Sequence, residues 1–297
     1  MMRSIVESSL KVRFLVLVAC TWLALSGGGV MAQEKKIEDF NPKSFDGRST
    51  TIDNEWFPLK PGTRLVYAGT TIEDDGKAVP RRLVSIVTDL TKVIGGVRTV
   101  IVWDVDYKDG QLSETEIAFF AQDNDGNVWL LGEYPEEWEG GKFLKAPVWL
   151  HGREEARAGI AMQAKPQLGT PSYAQGWGPA VKWTDRATVD QMGQKTCVRK
   201  GCYEDVLVIA ETSREEPNAE QLKYYARGVG NVRVGWRGQG EKLKETLELV
   251  EVVQLGPDAL ADARAKVLAL EKRAYRIGKK AYGNTPPAEQ TRDAKAR

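Results

Sequence analysis

Residues 99–134 carry the clearest pattern of apolar and polar positions in the chain. Ile101, Trp103, Val105 and Tyr107 recur at every second position, with Asp104, Asp106 and Lys108 on the opposite side. A period of two marks a strand with one buried face. Asp109-Gly110 follows, a pair suited to a two-residue turn with both residues at positive φ. A second strand sets Ile117 and Phe119 on one side and Leu112 and Phe120 on the other. Asp123-Asn124-Asp125-Gly126 reverses the chain and residues 128–131 return.

The same signals extend in both directions. Residues 63–73 and 79–90 form a hairpin around Asp75-Gly76, and 143–150 supply a further strand after Gly140-Gly141. Residues 187–198 and 203–212 make another hairpin, 222–226 and 232–236 the next, and 246–255 the last strand. Residues 151–183 lack a clean period and are rich in Gly, Pro and aromatics. A long irregular stretch inside a domain is usually functional or mobile. Residues 52–62, with two prolines and an aromatic pair, read as a lid or entry segment. No internal repeat stands out.

One helix is predicted over 257–282. Pro257 and Asp258 suit its first turn. Leu260, Ala263, Val267, Leu270, Ala274 and Ile277 form one apolar stripe, which packs on the sheet. Lys279, Lys280 and Gly283 close it. The fold class is therefore mainly β: a curved antiparallel meander sheet or half-barrel over residues 52–255, capped by a helix at 256–283. The polar lead-in 33–51 is expected to be exposed, and the polar tail 284–297 to be disordered.

Residues 1–32 read as an address. Arg3, Lys11 and Arg13 precede the apolar run 14–25, and Val30-Met31-Ala32 suits signal-peptidase cleavage before Gln33. The run is shorter than the ~20 residues a spanning helix needs, so the protein is expected to be exported, with no transmembrane segment in the mature chain. Leu17-Val18-Ala19-Cys20 resembles a lipobox, and a lipoprotein anchored at Cys20 is the alternative. Residues 1–32 hold three of the 42 basic and one of the 41 acidic residues, which leaves 39 against 40. That balance argues against a nucleic-acid partner held by bulk charge. Export leaves Cys197 and Cys202 as the only cysteines, and an oxidising compartment should pair them.

The chemistry is less legible than the architecture. The single histidine, His151, cannot build a multi-histidine zinc site. It has no G-x-S-x-G elbow to serve, so it reads as a loop or packing residue. Asp123, Asp125 and Asn127 lack the pattern of a calcium loop and read as turn residues. No metal or cofactor is expected. Glu133, Glu136, Glu137 and Glu139 read as a solvated hairpin tip. The alternative is a carbohydrate-active enzyme or sugar-binding module using Trp and Glu around 133–183. Most aromatics should be core. Trp177 and Trp183 lie in the irregular segment and are expected to line a cleft or its mouth. With Tyr173, Trp103 and Trp129 they form the candidate ligand-binding set. The ligand would be apolar or amphipathic, a hydrophobic small molecule or lipid; an envelope protein docked in the same cleft is the other candidate partner.

Four segments carry a resemblance: residues 56–67 (WFPLKPGTRLVY), 119–129 (FFAQDNDGNVW), 203–209 (YEDVLVI) and 223–233 (KYYARGVGNVR). Together they resemble an uncharacterised family of exported bacterial proteins, loosely similar to lipoprotein carriers built on a half-barrel sheet whose concave face holds a hydrophobic ligand or a helix. The resemblance implies export and this fold, and assigns no catalytic residue. One departure is residues 176–185 (GWGPAVKWTD), where the family often carries an acidic run after a Tyr-Pro-Gly element.

Overall fold

The computed structural model describes residues 37–291 apart from 74 and 243. The export signal, its alternative at Cys20 and residues 292–297 lie outside the described residues. No described helix is long and apolar enough to cross a membrane.

In chain order the strands are β1 (Thr63–Ile72), β2 (Ala78–Ile94), β3 (Val97–Lys108), β4 (Gln111–Gln122), β5 (Val128–Glu139), β6 (Lys142–Lys145), β7 (Trp149–Leu150) and β8 (Arg157–Met162). There follow β9 (Tyr173–Ala174), β10 (Gly176–Trp177), β11 (Arg186–Val198), β12 (Gly201–Thr212), β13 (Glu220–Ala226), β14 (Gly230–Arg237) and β15 (Thr246–Gln254). Two helices, α1 (Pro257–Ile277) and α2 (Lys279–Tyr282), precede the short strand β16 (Glu289–Gln290). All pairings are antiparallel, and the ladder runs β10-β8-β5-β4-β3-β2-β1-β15-β14-β13-β12-β11-β9. The Asp109-Gly110 turn has both residues at positive φ, 50° and 75°, as its two-residue length requires.

The two edge strands of this ladder, β9 and β10, are successive pieces of chain separated by Gln175 alone. The sheet is open, yet it must curl until its edges lie side by side. Strands far apart in the ladder therefore share one core on the inner face: Val100 and Val102 of β3 and Ala118 of β4 pack with Ala187 of β11, Leu207 and Ile209 of β12 and Tyr225 of β13. Residues 52–59 fold into the same space. The Asn54 side chain accepts from the Trp56 and Phe57 amides and donates to the Gly126 and Gln163 carbonyls. Trp56 is thereby buried and Phe57 left against Phe120 and Tyr225.

The outer face carries the other half of the alternation. Ile101, Ile117, Phe119, Leu131 and Tyr134 pack under the helix stripe Val267, Leu270 and Ala274. The helix differs from expectation at its end. It breaks at Gly278, where a Cβ would come 2.8 Å from the Val148 side chain, and Ile277 is exposed. The residues beyond are also corrected in part. Residues 284–291 follow α2 back along β2, with Glu289 opposite Thr91 and Gln290 opposite Leu90. The lead-in is mostly exposed from residue 37 to 51 but not loose, since Phe40 lies 4.2 Å from the His151 ring and the buried Ser49 donates to the Arg98 carbonyl.

Cys197 and Cys202 face each other across β11 and β12 and form a disulfide. Both are exposed. A loop this small contributes ~2 kcal/mol through the unfolded state. Reduction, or Cys197→Ser with Cys202→Ser, should lower Tm by several degrees, at about 2–4 °C per kcal/mol. Calorimetry with and without reductant reads this.

Candidate functional site

Inside the curl lies a cleft of about 340 Å³. Its lining changes character along the strands. At one level Val102, Ala118, Phe120 and Leu130 join Phe57, Leu59 and Tyr225 to form an apolar end. Further along the same strands, two residues on in β3 and β4 and three in β5, this face turns acidic. Asp104 of β3 stands opposite Glu116 of β4, and Asp106 opposite Glu114, which in turn faces Glu137 of β5. Glu133 of β5 lies across from Ala118, and Asp185, Glu211 and Glu245 reach the cleft from the far side. A second cavity of about 310 Å³ shares Glu116, Glu133, Trp183 and Asp185 with the first and adds Glu114 and Glu137.

Three cations answer these carboxyls. Lys223 of β13 sits 2.7 Å from Glu211. Arg81 of β2 is bonded to Asp106 and lies 3.3 Å from Glu245. Glu137 has Lys145 at 3.2 Å on its outer side. That leaves Asp104, Glu114, Glu116, Glu133 and Asp185 without an ion-pair partner among the described residues. Withdrawal from water pushes Asp104 up to about 6 and Asp185 up to about 6. The same desolvation, reinforced by neighbouring carboxylates, takes Glu114 to about 7 and Glu133 to about 8 and lifts Glu116 well above the ordinary range. Burial pulls Lys223 down, but Glu211, then Asp185 and Glu133, more than offset this and hold it charged.

The five predicted ligand residues do not converge. Trp183 lines the cleft with its ring on Trp149, centroids 4.8 Å apart. Gly176 makes room for that pair, since a Cβ there would stand 2.6 Å from Trp183 and 2.7 Å from Trp149. Tyr173 packs in the inner core beside the cleft, its hydroxyl buried without a partner. Trp177, half-buried on β10, pairs with Arg157 and lines neither cavity. Trp103 and Trp129 both belong to the outer face. Trp103 donates to the Thr115 hydroxyl and has Lys266 over its ring. Trp129 donates to Asp123 at 2.8 Å under Phe40 and Phe45.

The glutamates divide in the same way. Glu133 faces the cleft and accepts from the Trp149 indole at 2.8 Å. Glu136 is fully buried on the outer face and takes two hydrogen bonds from Arg273. Glu139 alone is a solvated tip. His151 accepts the Ala158 amide on Nδ1, a packing role, and Asp123 is saturated by its own turn and Trp129. A wider groove, about 1180 Å³, runs beside the start of α1; its Asp89, Arg98 and Arg264 are already paired with one another or with Glu289.

No family model and no curated protein sequence matches the chain. Two solved structures overlap it. One is a protein named as exported, with a YmcC-like fold, from Bacteroides fragilis. It is 13% identical, at a TM-score of 0.40 over 67% of this chain and 98% of that one. The other, named as a lipoprotein, comes from Parabacteroides distasonis. It is 12% identical, at a TM-score of 0.38 over the same shares. Likeness this loose says nothing about site or activity.

Sequence reasoning missed the residues that give the cleft its character: Asp104, Glu114, Glu116, Asp185, Glu211 and Lys223. A signal was present. Three successive strands place carboxyls at matching levels, and like charges directly opposite one another destabilise a sheet.

Proposed function

We propose that the mature chain is an exported, non-enzymatic binding protein that holds one amphipathic molecule in the inner cleft of a half-barrel sheet. Export rests on the N-terminal signal and fits the Cys197–Cys202 bridge. The observation that carries the binding reading is the change of lining along β3, β4 and β5, from Val102, Phe120 and Leu130 to Asp104, Glu116 and Glu133. An apolar pocket with a few convergent polar groups is the usual form of a small-molecule site. A wholly apolar ligand would leave the acidic end dry and unmet, which is costly; an amphipathic one covers both ends.

The test uses N-phenyl-1-naphthylamine, an uncharged probe that fluoresces in apolar surroundings. Saturable binding is expected, and Ala118→Trp or Ala161→Trp, whichever keeps the native circular dichroism, should abolish it by filling the cleft. No saturable binding, or binding untouched by either filled variant, overturns the reading.

One observation favours a second reading. The Trp149–Trp183 pair stands beside Glu116 and Glu133, an arrangement of ring face and carboxyl that suits a sugar. Quenching of tryptophan fluorescence by oligosaccharides, with no response to the apolar probe, would select it.

A further inference from the structure

The acidic end of the cleft is built at a cost that folding alone does not call for. Asp104 and Glu116 face each other directly, as do Asp106 and Glu114, and Glu114 and Glu137. Lys223 and Arg81 are already taken by Glu211, Asp106 and Glu245. Five carboxyls are left with no cation in contact, and Asp104, although Ser85 bonds its carboxyl, keeps Oδ1 buried without a hydrogen-bond partner. A separate group points the same way. Tyr225 is 2% exposed and lines the cleft from the opposite strand, and its hydroxyl makes no hydrogen bond among the described residues. A buried phenol normally finds a partner, and here the open direction is the cleft.

We propose that the polar end of the cleft binds an organic cation, the ammonium head of an amphipathic amine, seated among Asp104, Glu116, Glu133 and Asp185 and within the space the Tyr225 hydroxyl faces. An ammonium supplies three donors and no acceptor, the complement of an end rich in acceptors. The carboxyls come from three strands and the segment before β11, and no three acidic, histidine or cysteine side chains among the described residues come together as a metal site. A charge carried on a chain that reaches along the cleft therefore fits better than a single metal ion. Phe57, Phe120 and Tyr225 would hold the apolar body. Until the amine arrives, retained protons keep the carboxyls from repelling one another, as their raised pKa values indicate. The inference rests on the binding reading above and narrows it to one class of ligand.

The probes are dansylcadaverine, which carries a primary ammonium at pH 7, and N-butyl dansylamide, its uncharged counterpart, titrated into the intact mature chain. The charged probe should bind at least about tenfold tighter, the factor one charge-assisted hydrogen bond supplies. That ratio should collapse in Glu116→Gln with Glu133→Gln and persist in the exposed control Glu139→Gln. Equal affinity for the two probes overturns the cation while leaving the cleft a binding site. A preference that survives the double substitution overturns the assignment to these carboxyls. If neither probe binds saturably, the binding reading fails and takes this inference with it.

Discussion

The protein is expected to melt several degrees lower at about pH 8 than at about pH 5, with the decline steepest from about pH 5 to 6 and complete near pH 8. The cause is the inner cleft. An aspartate or glutamate in the unfolded chain titrates near 4, whereas desolvation holds Asp104 and Asp185 up to about 6, Glu114 to about 7 and Glu133 to about 8 in the fold. The folded state thus retains protons that the unfolded state has lost, and stability falls with pH wherever that is so. Their contribution is complete below the unfolded values and disappears as pH rises through the folded ones. The groups share a mutual repulsion, so their effects will not simply add. His151 works in the other direction. Burial holds its pKa below the ordinary value, and protonation would cost the Ala158 hydrogen bond, so it weakens the fold as pH drops below about 6.5. One imidazole opposes five carboxyls. Differential scanning calorimetry across this range is the measurement, and Glu116→Gln should raise Tm at pH 8 and flatten the profile. A Tm that rises from pH 5 to pH 8 would show that these carboxyls are solvated. Stability given up at a site is a common accompaniment of function, and an ammonium ligand should restore it at pH 8 by mass action.

The same cleft shows where the chain was readable and where it was not. Strand alternation located β3 correctly, with Ile101 and Trp103 on one face and Asp104 and Asp106 on the other. It then assigned the charged face to solvent, which is right for a flat sheet packed on one side. Here β9 and β10 bring the two edges together, so both faces are interior and the charged one lines a cavity. Those closing strands are two residues each, too short to leave a periodic signal, and they lie in the stretch 151–183 that looked irregular. The aromatic set divides between the two faces for the same reason. Trp103 and Trp129 share their parity with the outer core, while Trp183 is held inward by its contact with Trp149. The helix, the Asp109-Gly110 turn and the disulfide depend on local residue choice and were legible. The ordered path of residues 284–291 was not, because its anchor is a buried lysine more than 190 positions earlier in the chain.

That lysine carries the other large effect. Lys92 is fully buried on the outer face. Its ammonium lies 2.8 Å from Glu271 of α1, 3.0 Å from the Tyr275 hydroxyl and 2.5 Å from the Pro286 carbonyl, and 4.4 Å from the Tyr282 ring centroid. Glu271 is committed in turn to the Ala288 amide and the Tyr282 hydroxyl. Two further pairs, Asp89–Arg264 and Glu136–Arg273, tie the same helix to β2 and β5, but each of those arginines is partly exposed. Lys92 is the contact through which sheet, helix and returning tail meet. Lys92→Met should therefore destabilise the protein by about 3–5 kcal/mol, because it strands the Glu271 carboxylate in an apolar setting. At about 2–4 °C per kcal/mol for a domain of this size, Tm should fall by roughly 10 °C or more. Removing both partners, Lys92→Met with Glu271→Leu, should recover much of that loss, since a well-packed apolar replacement leaves no charge unpaired. Hydrogen exchange gives the spatial check. In Lys92→Met the amides of Ala288 and Thr291 should lose protection first, while those of β12 and β13 keep theirs. Uniform loss across the sheet, or a single substitution no worse than the double, would show that the buried pair is not what fastens the helix and tail to the sheet.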